Sequence, residues 1–160
     1  MTTPARSRPF RPRFHVLLAL VLAAIVAGCT LPRLGGRPTP IPAKDIDLVG
    51  DCRRTEEDGY REDAQLRVSN NTVQELQWKL WVGSRGSCSF NLADFRQTRS
   101  KPQIELMAKD GSRCELMIWQ DPRRVTLAHA NCAKHCTGNI YEKTWPVLFE
   151  PGGGGCAQVR

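Results

Sequence analysis

No apolar run in this chain reaches membrane-spanning length. The longest, Val16 to Ala27, holds 12 residues, whereas a helix across a hydrocarbon core needs about 20. Helical periodicity is missing too. No later stretch repeats apolar residues at three- and four-residue steps, which excludes a helical bundle. Histidine is scarce, with three in 160 residues. The two beyond the apolar run, His129 and His135, lie close together with no obvious nucleophile nearby. There is no G-x-S-x-G elbow and no C-x-x-C pair. The acids Glu56-Glu57-Asp58 and Glu62-Asp63 fall in a polar, turn-rich segment, where a solvated loop is their expected role. These absences exclude the common hydrolytic and thioredoxin-like chemistries. The chain reads as a non-enzyme without a cofactor.

Charge is less lopsided than its total suggests. The formal net charge is +7, but Arg6, Arg8, Arg11 and Arg13 precede the apolar run with no acid among them. Removing those four cations from 23 leaves 19 against 16 acids, or +3. A mild excess argues against a nucleic-acid binder, which would show a clustered basic face.

A basic start, a short apolar run and small residues after it form a secretory signal. Its last four residues, Val26-Ala27-Gly28-Cys29, resemble the lipobox of bacterial lipoproteins. That resemblance implies cleavage before Cys29, acylation of its thiol and new amino terminus, and membrane attachment through this lipid alone. The signal is then residues 1–28, and 132 residues remain. Residue two of the mature chain is Thr30 rather than Asp, which by the same resemblance implies sorting to the outer membrane, facing the periplasm. Residues 29–43 carry prolines and glycines without apolar period and read as an extended tether.

Six cysteines remain: Cys52, Cys88, Cys114, Cys132, Cys136 and Cys156. An even number in an exported chain reads as a disulfide framework with 15 full connectivities. Three bonds are expected, with two bonds and a free pair as the alternative.

From Asp45 onward alternation recurs in run after run. Ala64, Leu66 and Val68 share a face before an Asn70-Asn71 turn. Leu76, Trp78, Leu80 and Val82 form the cleanest inward row. Gly83 to Ser87 is a tip, after which Cys88, Phe90 and Leu92 resume. Ile104, Leu106 and Ala108 face Cys114, Leu116 and Ile118 across Asp110-Gly111. Parity there favours a three-residue loop, Lys109-Asp110-Gly111, pairing Leu106 with Cys114 and placing Gly111 in the left-handed region. Val125, Leu127 and His129 follow, then apolar stretches at Thr137 to Tyr141 and Trp145 to Phe149. Seven or eight short strands predict an all-β domain over residues 44–150, an antiparallel meander closed into a small barrel or sandwich. The glycine-rich tail 151–160 is expected to be disordered or loosely stapled through Cys156.

Two groups of side chains carry candidate chemistry. His129, Cys132, His135 and Cys136 have spacings found in zinc sites, but an exported chain favours disulfides at those cysteines, so no metal is the expectation. Trp81 and Trp119 fall on the outward parity of their strands, and Arg85 sits at the tip. Trp and Arg are favoured interface anchors, so these three are the candidate partner-binding residues.

A lipobox, a proline tether and a disulfide-linked β meander together resemble small β-barrel lipoproteins, among them the membrane-bound inhibitors of C-type lysozyme. In that family a polar loop enters the lysozyme cleft and occupies its catalytic carboxylates. Gly83-Ser84-Arg85-Gly86-Ser87 is similar to such a loop, and the resemblance implies that Arg85 pairs with acids in the cleft. The expected function is a non-catalytic protein-binding lipoprotein, with lysozyme as the named partner. The alternatives are a structural or envelope-assembly lipoprotein and a metal-binding envelope protein.

Overall fold

The computed structural model describes residues 44–158; the lipobox, Cys29 and the tether fall outside them. Strands follow the chain as β1 (Leu48–Thr55), β2 (Tyr60–Ser69), β3 (Thr72–Val82), β4 (Ser87–Asn91), β5 (Phe95–Arg99), β6 (Ile104–Ala108), β7 (Glu115–Gln120), β8 (Val125–Ala130) and β9 (Val147–Phe149). They form two antiparallel meanders, β1 to β4 and β5 to β9, each with neighbours in chain order. The all-β, antiparallel expectation is met, with nine strands rather than seven or eight. The uncounted strand is β5, which has a single buried residue, Phe95, and so no apolar alternation to read. Thr137 to Tyr141 is no strand but a turn leading into a 3-10 segment, Tyr141–Lys143.

A closed barrel does not form; the two sheets pack as a sandwich. Between β4 and β5 the chain makes a 3-10 turn, Leu92–Asp94, capped by the Asn91 side chain, instead of a hairpin that would join the sheets. On the other side, the edge of β1 meets the glycine-rich tail rather than β9, through a hydrogen bond from Asp51 N to Gly154 O of 2.9 Å. The inward rows read from alternation bury, except that Leu92 and His129 at the ends of theirs are half-buried. Trp78, Phe90, Phe149 and the leucines of β2, β3, β6 and β7 are among the largest fully enclosed side chains. Gly50 leaves the space that the Phe149 ring fills, 2.8 Å from where a Cβ would stand.

Register at the β6–β7 turn corrects the parity argument. Leu106 pairs with Leu116 and Ile104 with Ile118, and Ala108 N bonds Cys114 O. The loop is therefore five residues, Lys109 to Arg113. A two-residue slip keeps every side chain on its face, so parity cannot separate the two registers. Local polar bonds decide: Asp110 accepts from Ser112 N at 2.8 Å, and Ser112 Oγ accepts from Cys114 N. Gly111 has φ 76°, in the left-handed region as expected.

The tail is ordered as far as it is described. Gly154 is buried, Glu150 and Gly154–Gly155 exchange two backbone bonds, and Ala157 N bonds Leu148 O. Gly154 has φ 69°, and a Cβ there would overlap the carbonyl oxygen of Val49. Only glycine allows the tail to lie this close to β1. Gly154→Ala should cost about 2 kcal/mol in chemical denaturation, whereas Gly152→Ala, with open space around it, should be nearly silent. Equal effects would show that the tail does not seat on β1.

Candidate functional site

The three disulfides are Cys52–Cys156, Cys88–Cys136 and Cys114–Cys132, each enclosing the next in sequence. Cys132 and Cys136 therefore have no thiolate to give, and the four-ligand metal alternative loses half its set. His129 and His135 are instead packed among rings, with His129 centroids 5.4 Å from Trp78 and 5.2 Å from Tyr141, and His135 5.2 Å from Phe95. Burial holds the His129 imidazole below its ordinary pKa, so it is neutral at pH 7. The Thr144 hydroxyl gives its one proton to Tyr141 O at 2.6 Å. It can therefore only accept from His129 Nε2, 2.9 Å away, which fixes the Nε2–H tautomer.

Arg85 is exposed on a tight hairpin. Arg85 N bonds Val82 O, and Val82 N bonds Gly86 O. The turn is also braced from outside. Thr137 N bonds Ser87 O at 2.8 Å, Ser87 N bonds Thr137 Oγ1 at 3.0 Å, and the Cys88–Cys136 bond lies next to both. A Cβ on Gly138 would overlap the Arg85 carbonyl oxygen. The tip is short and rigid, and it presents one guanidinium.

Trp81 and Trp119 do not form one patch. Trp81 is on β3 and Trp119 on β7, on the outer faces of different sheets. Trp81 stands opposite Arg61 on β2 and Ser87 on β4. Arg61 Cζ lies 3.9 Å from its ring centroid and Lys79 Nζ 5.1 Å, an arrangement in which the ring quadrupole attracts both cations. Neither Arg61 nor Lys79 has an ion-pair partner among the described residues. Arg53 by contrast is shared between Asp51 and Asp63, at 3.3 and 3.5 Å.

Trp81 separates two recesses. One, of about 250 Å³, is lined by Asp63, Gln65, Gln77, Lys79, Ser89 and Asn91. The other, of about 390 Å³, is lined by Arg53, Arg54, Arg61, Glu62 and Asp63. Arg54 is shared with a third recess of about 320 Å³, where Tyr60, Trp145, Pro146 and Leu148 make a more apolar wall. The first two recesses share Trp81 and Asp63 and form a trough across the strands of the first sheet; the third recess shares Arg54 with it. Trp145 is 68% exposed at its far end. The Tyr60 hydroxyl holds that loop, lying 3.4 Å from both Trp145 O and Trp145 N. Burial, and after it the charge of Glu62, push the Tyr60 phenol up to about 12, so it stays a donor.

Beneath the trough lies a buried ion pair that the alternation did not reveal. Glu62 is only 1% exposed, not part of a solvated loop, because β2 begins at Tyr60 and puts Glu62 on the inward parity. Arg54 stands opposite it on β1 and reaches it at 2.8 Å. Tyr60, Arg61 and Glu62, together with Arg54, Lys79 and Trp145, are site residues that sequence reasoning missed. The Gly59 turn was the available signal for the first three, since it marks where β2 starts.

Comparison of the chain with family models, with curated proteins and with solved structures finds no match.

Proposed function

We propose that the chain is a lipid-anchored, non-catalytic binding protein of the cell envelope, held at the outer membrane through Cys29. Its partner meets the end of the sandwich that carries Arg85. The observation that carries this reading is the placement of that end. The described domain begins at Lys44, beside the Asn70-Asn71 turn: Ile46 N bonds Asn71 Oδ1 at 2.9 Å, and Asp45 accepts from Asn71 Nδ2 at 2.7 Å. The Arg85 tip lies beyond Val82, at the opposite end of β3. Nine residue steps from Val73 at about 3.4 Å each separate the two ends by about 30 Å. The chain therefore enters the described domain at the end opposite Arg85.

Lysozyme inhibition is the sharpest version of this function. A rigid tip loses little entropy when it docks, and a guanidinium entering a cleft of carboxylates makes charge-assisted bonds. Residual lysozyme activity should fall stoichiometrically as the oxidised protein is added. Arg85→Glu, which leaves the backbone braces of the tip intact, should weaken inhibition at least a hundredfold. No inhibition of any lysozyme class would remove the named partner and leave the structural-lipoprotein alternative to be pursued by crosslinking in cells.

A further inference from the structure

The trough has the chemistry of a carbohydrate site, and we infer that it takes an anionic, carboxyl-bearing glycan chain. The inference goes beyond the lysozyme reading and does not depend on it. Three observations on this face carry it together.

The first is shape. The trough crosses β4, β3, β2 and β1 at right angles to the strands, over about 14 Å at a spacing of 4.8 Å. A peptide adding to a sheet runs along an edge strand and uses its unpaired N–H and C=O groups. Within this crossing β2 and β3 are paired on both sides, so the surface offers side chains alone. An elongated ligand that brings its own hydroxyls suits it better than a backbone strand.

The second is the side-chain inventory. Gln65 and Gln77 lie opposite each other, with Asn91 opposite Gln77, in one row of planar amides at the other end of the recess that Trp81 walls. Neither glutamine makes a side-chain hydrogen bond among the described residues, so their donors and acceptors are free for sugar hydroxyls, whereas Asn91 Oδ1 already accepts from Ala93 N. The indole is half-buried and walls two of the recesses. With Arg61 and Lys79 lying over it, the indole holds those two cations in place between the recesses, where sugar hydroxyls reach the amides.

The third is charge. Of the four cations along the trough, Arg53 and Arg54 are occupied by Asp51, Asp63, Glu56 and Glu62. Arg61 and Lys79 are left, both against Trp81. Two free cations at one ring suit a single carboxylate there, and Asp63, which lines both recesses opposite Lys79, disfavours an unbroken run of anionic charge. A polyphosphate chain, which carries a charge at every unit, would call for a longer basic stripe.

The test is titration calorimetry of the full oxidised chain with two probes, a tetramer of galacturonic acid and the neutral chitotetraose. The uronate tetramer should bind and the neutral one should bind at least tenfold more weakly. Trp81→Ala should weaken uronate binding about tenfold, which is 1.4 kcal/mol. Arg61→Gln with Lys79→Gln should weaken it similarly and flatten its salt dependence, and these exposed changes leave the core untouched. Trp119→Ala, on the other outer face, should bind as the wild type does. The proposal is overturned if neither oligomer binds, if the neutral one binds as tightly, or if the Arg61/Lys79 variant is unaffected. Lysozyme inhibition that persists while uronate binding is absent would overturn the glycan site and leave the proposed function standing.

Discussion

Removing the outermost disulfide, by Cys52→Ala with Cys156→Ala, should destabilise the oxidised domain by about 4 kcal/mol; removing Cys114–Cys132 should cost about 3. The order follows from nesting. With Cys88–Cys136 intact, the ring closed by Cys52–Cys156 runs 36 residues from Cys52 to Cys88 and 20 from Cys136 to Cys156, leaving 56. The inner bond spans 18. Loop entropy at (3/2)RT ln of the length ratio separates them by about 1 kcal/mol. The outer bond also fixes the tail that covers β1, so its loss exposes that edge. Guanidinium denaturation of each double variant, with the remaining bonds confirmed by mass, gives the comparison. An inner bond worth more than the outer one would mean that the tail adds nothing, and that the local β7–β8 connection dominates instead.

Arg54→Met should cost about 3–5 kcal/mol at pH 7, because it strands the buried Glu62 carboxylate without its cation. Among the described residues Arg54 is the ion-pair partner of Glu62, and Glu62 Oε2 has no hydrogen-bond partner. The pH dependence gives the mechanism away. Burial, opposed by Arg54, already holds Glu62 above the usual carboxylate range. A raised acid contributes stability that is fully present below its unfolded pKa and is lost as pH rises through the folded one. Without Arg54 the folded value climbs further, so the deficit of the variant should grow from pH 4 to pH 7. Near pH 4 Glu62 is protonated in both states and the deficit should be small. Adding Glu62→Leu to Arg54→Met should recover most of the loss, since an apolar pair of similar volume avoids desolvating charge. Denaturation midpoints at the two pH values decide between charge and packing. A deficit that does not change with pH would assign the cost to lost contacts of the Arg54 stem.

The sequence alone determined the class of fold and most of its core. Alternation is a direct image of the strand pleat, so the inward rows of β2, β3, β6, β7 and β8 could be read without coordinates. Even spacing of turn residues gave the meander, and six cysteines in an exported pattern gave three bonds. What alternation carries no record of was settled by tertiary structure. Which cysteines pair depends on where strands of two sheets bring their ends together, and fifteen connectivities share one composition. Whether a meander closes depends on its junctions. The Asn91-capped turn and the Gly154 approach to Val49 keep this one open.

The β6–β7 register belongs with these, since a slip of two leaves every side chain on its face. Glu62 and Trp145 show the limit from the side of the site. A charged residue reads as surface until a partner is found for it, and Arg54 is found only by pairing β1 with β2. An aromatic near a proline reads as core until the loop is seen to turn it outward. The trough joins residues from β1 to β4, and the segment before β9 lines the recess that meets it at Arg54. No stretch of chain holds it; stacking strands at 4.8 Å creates it.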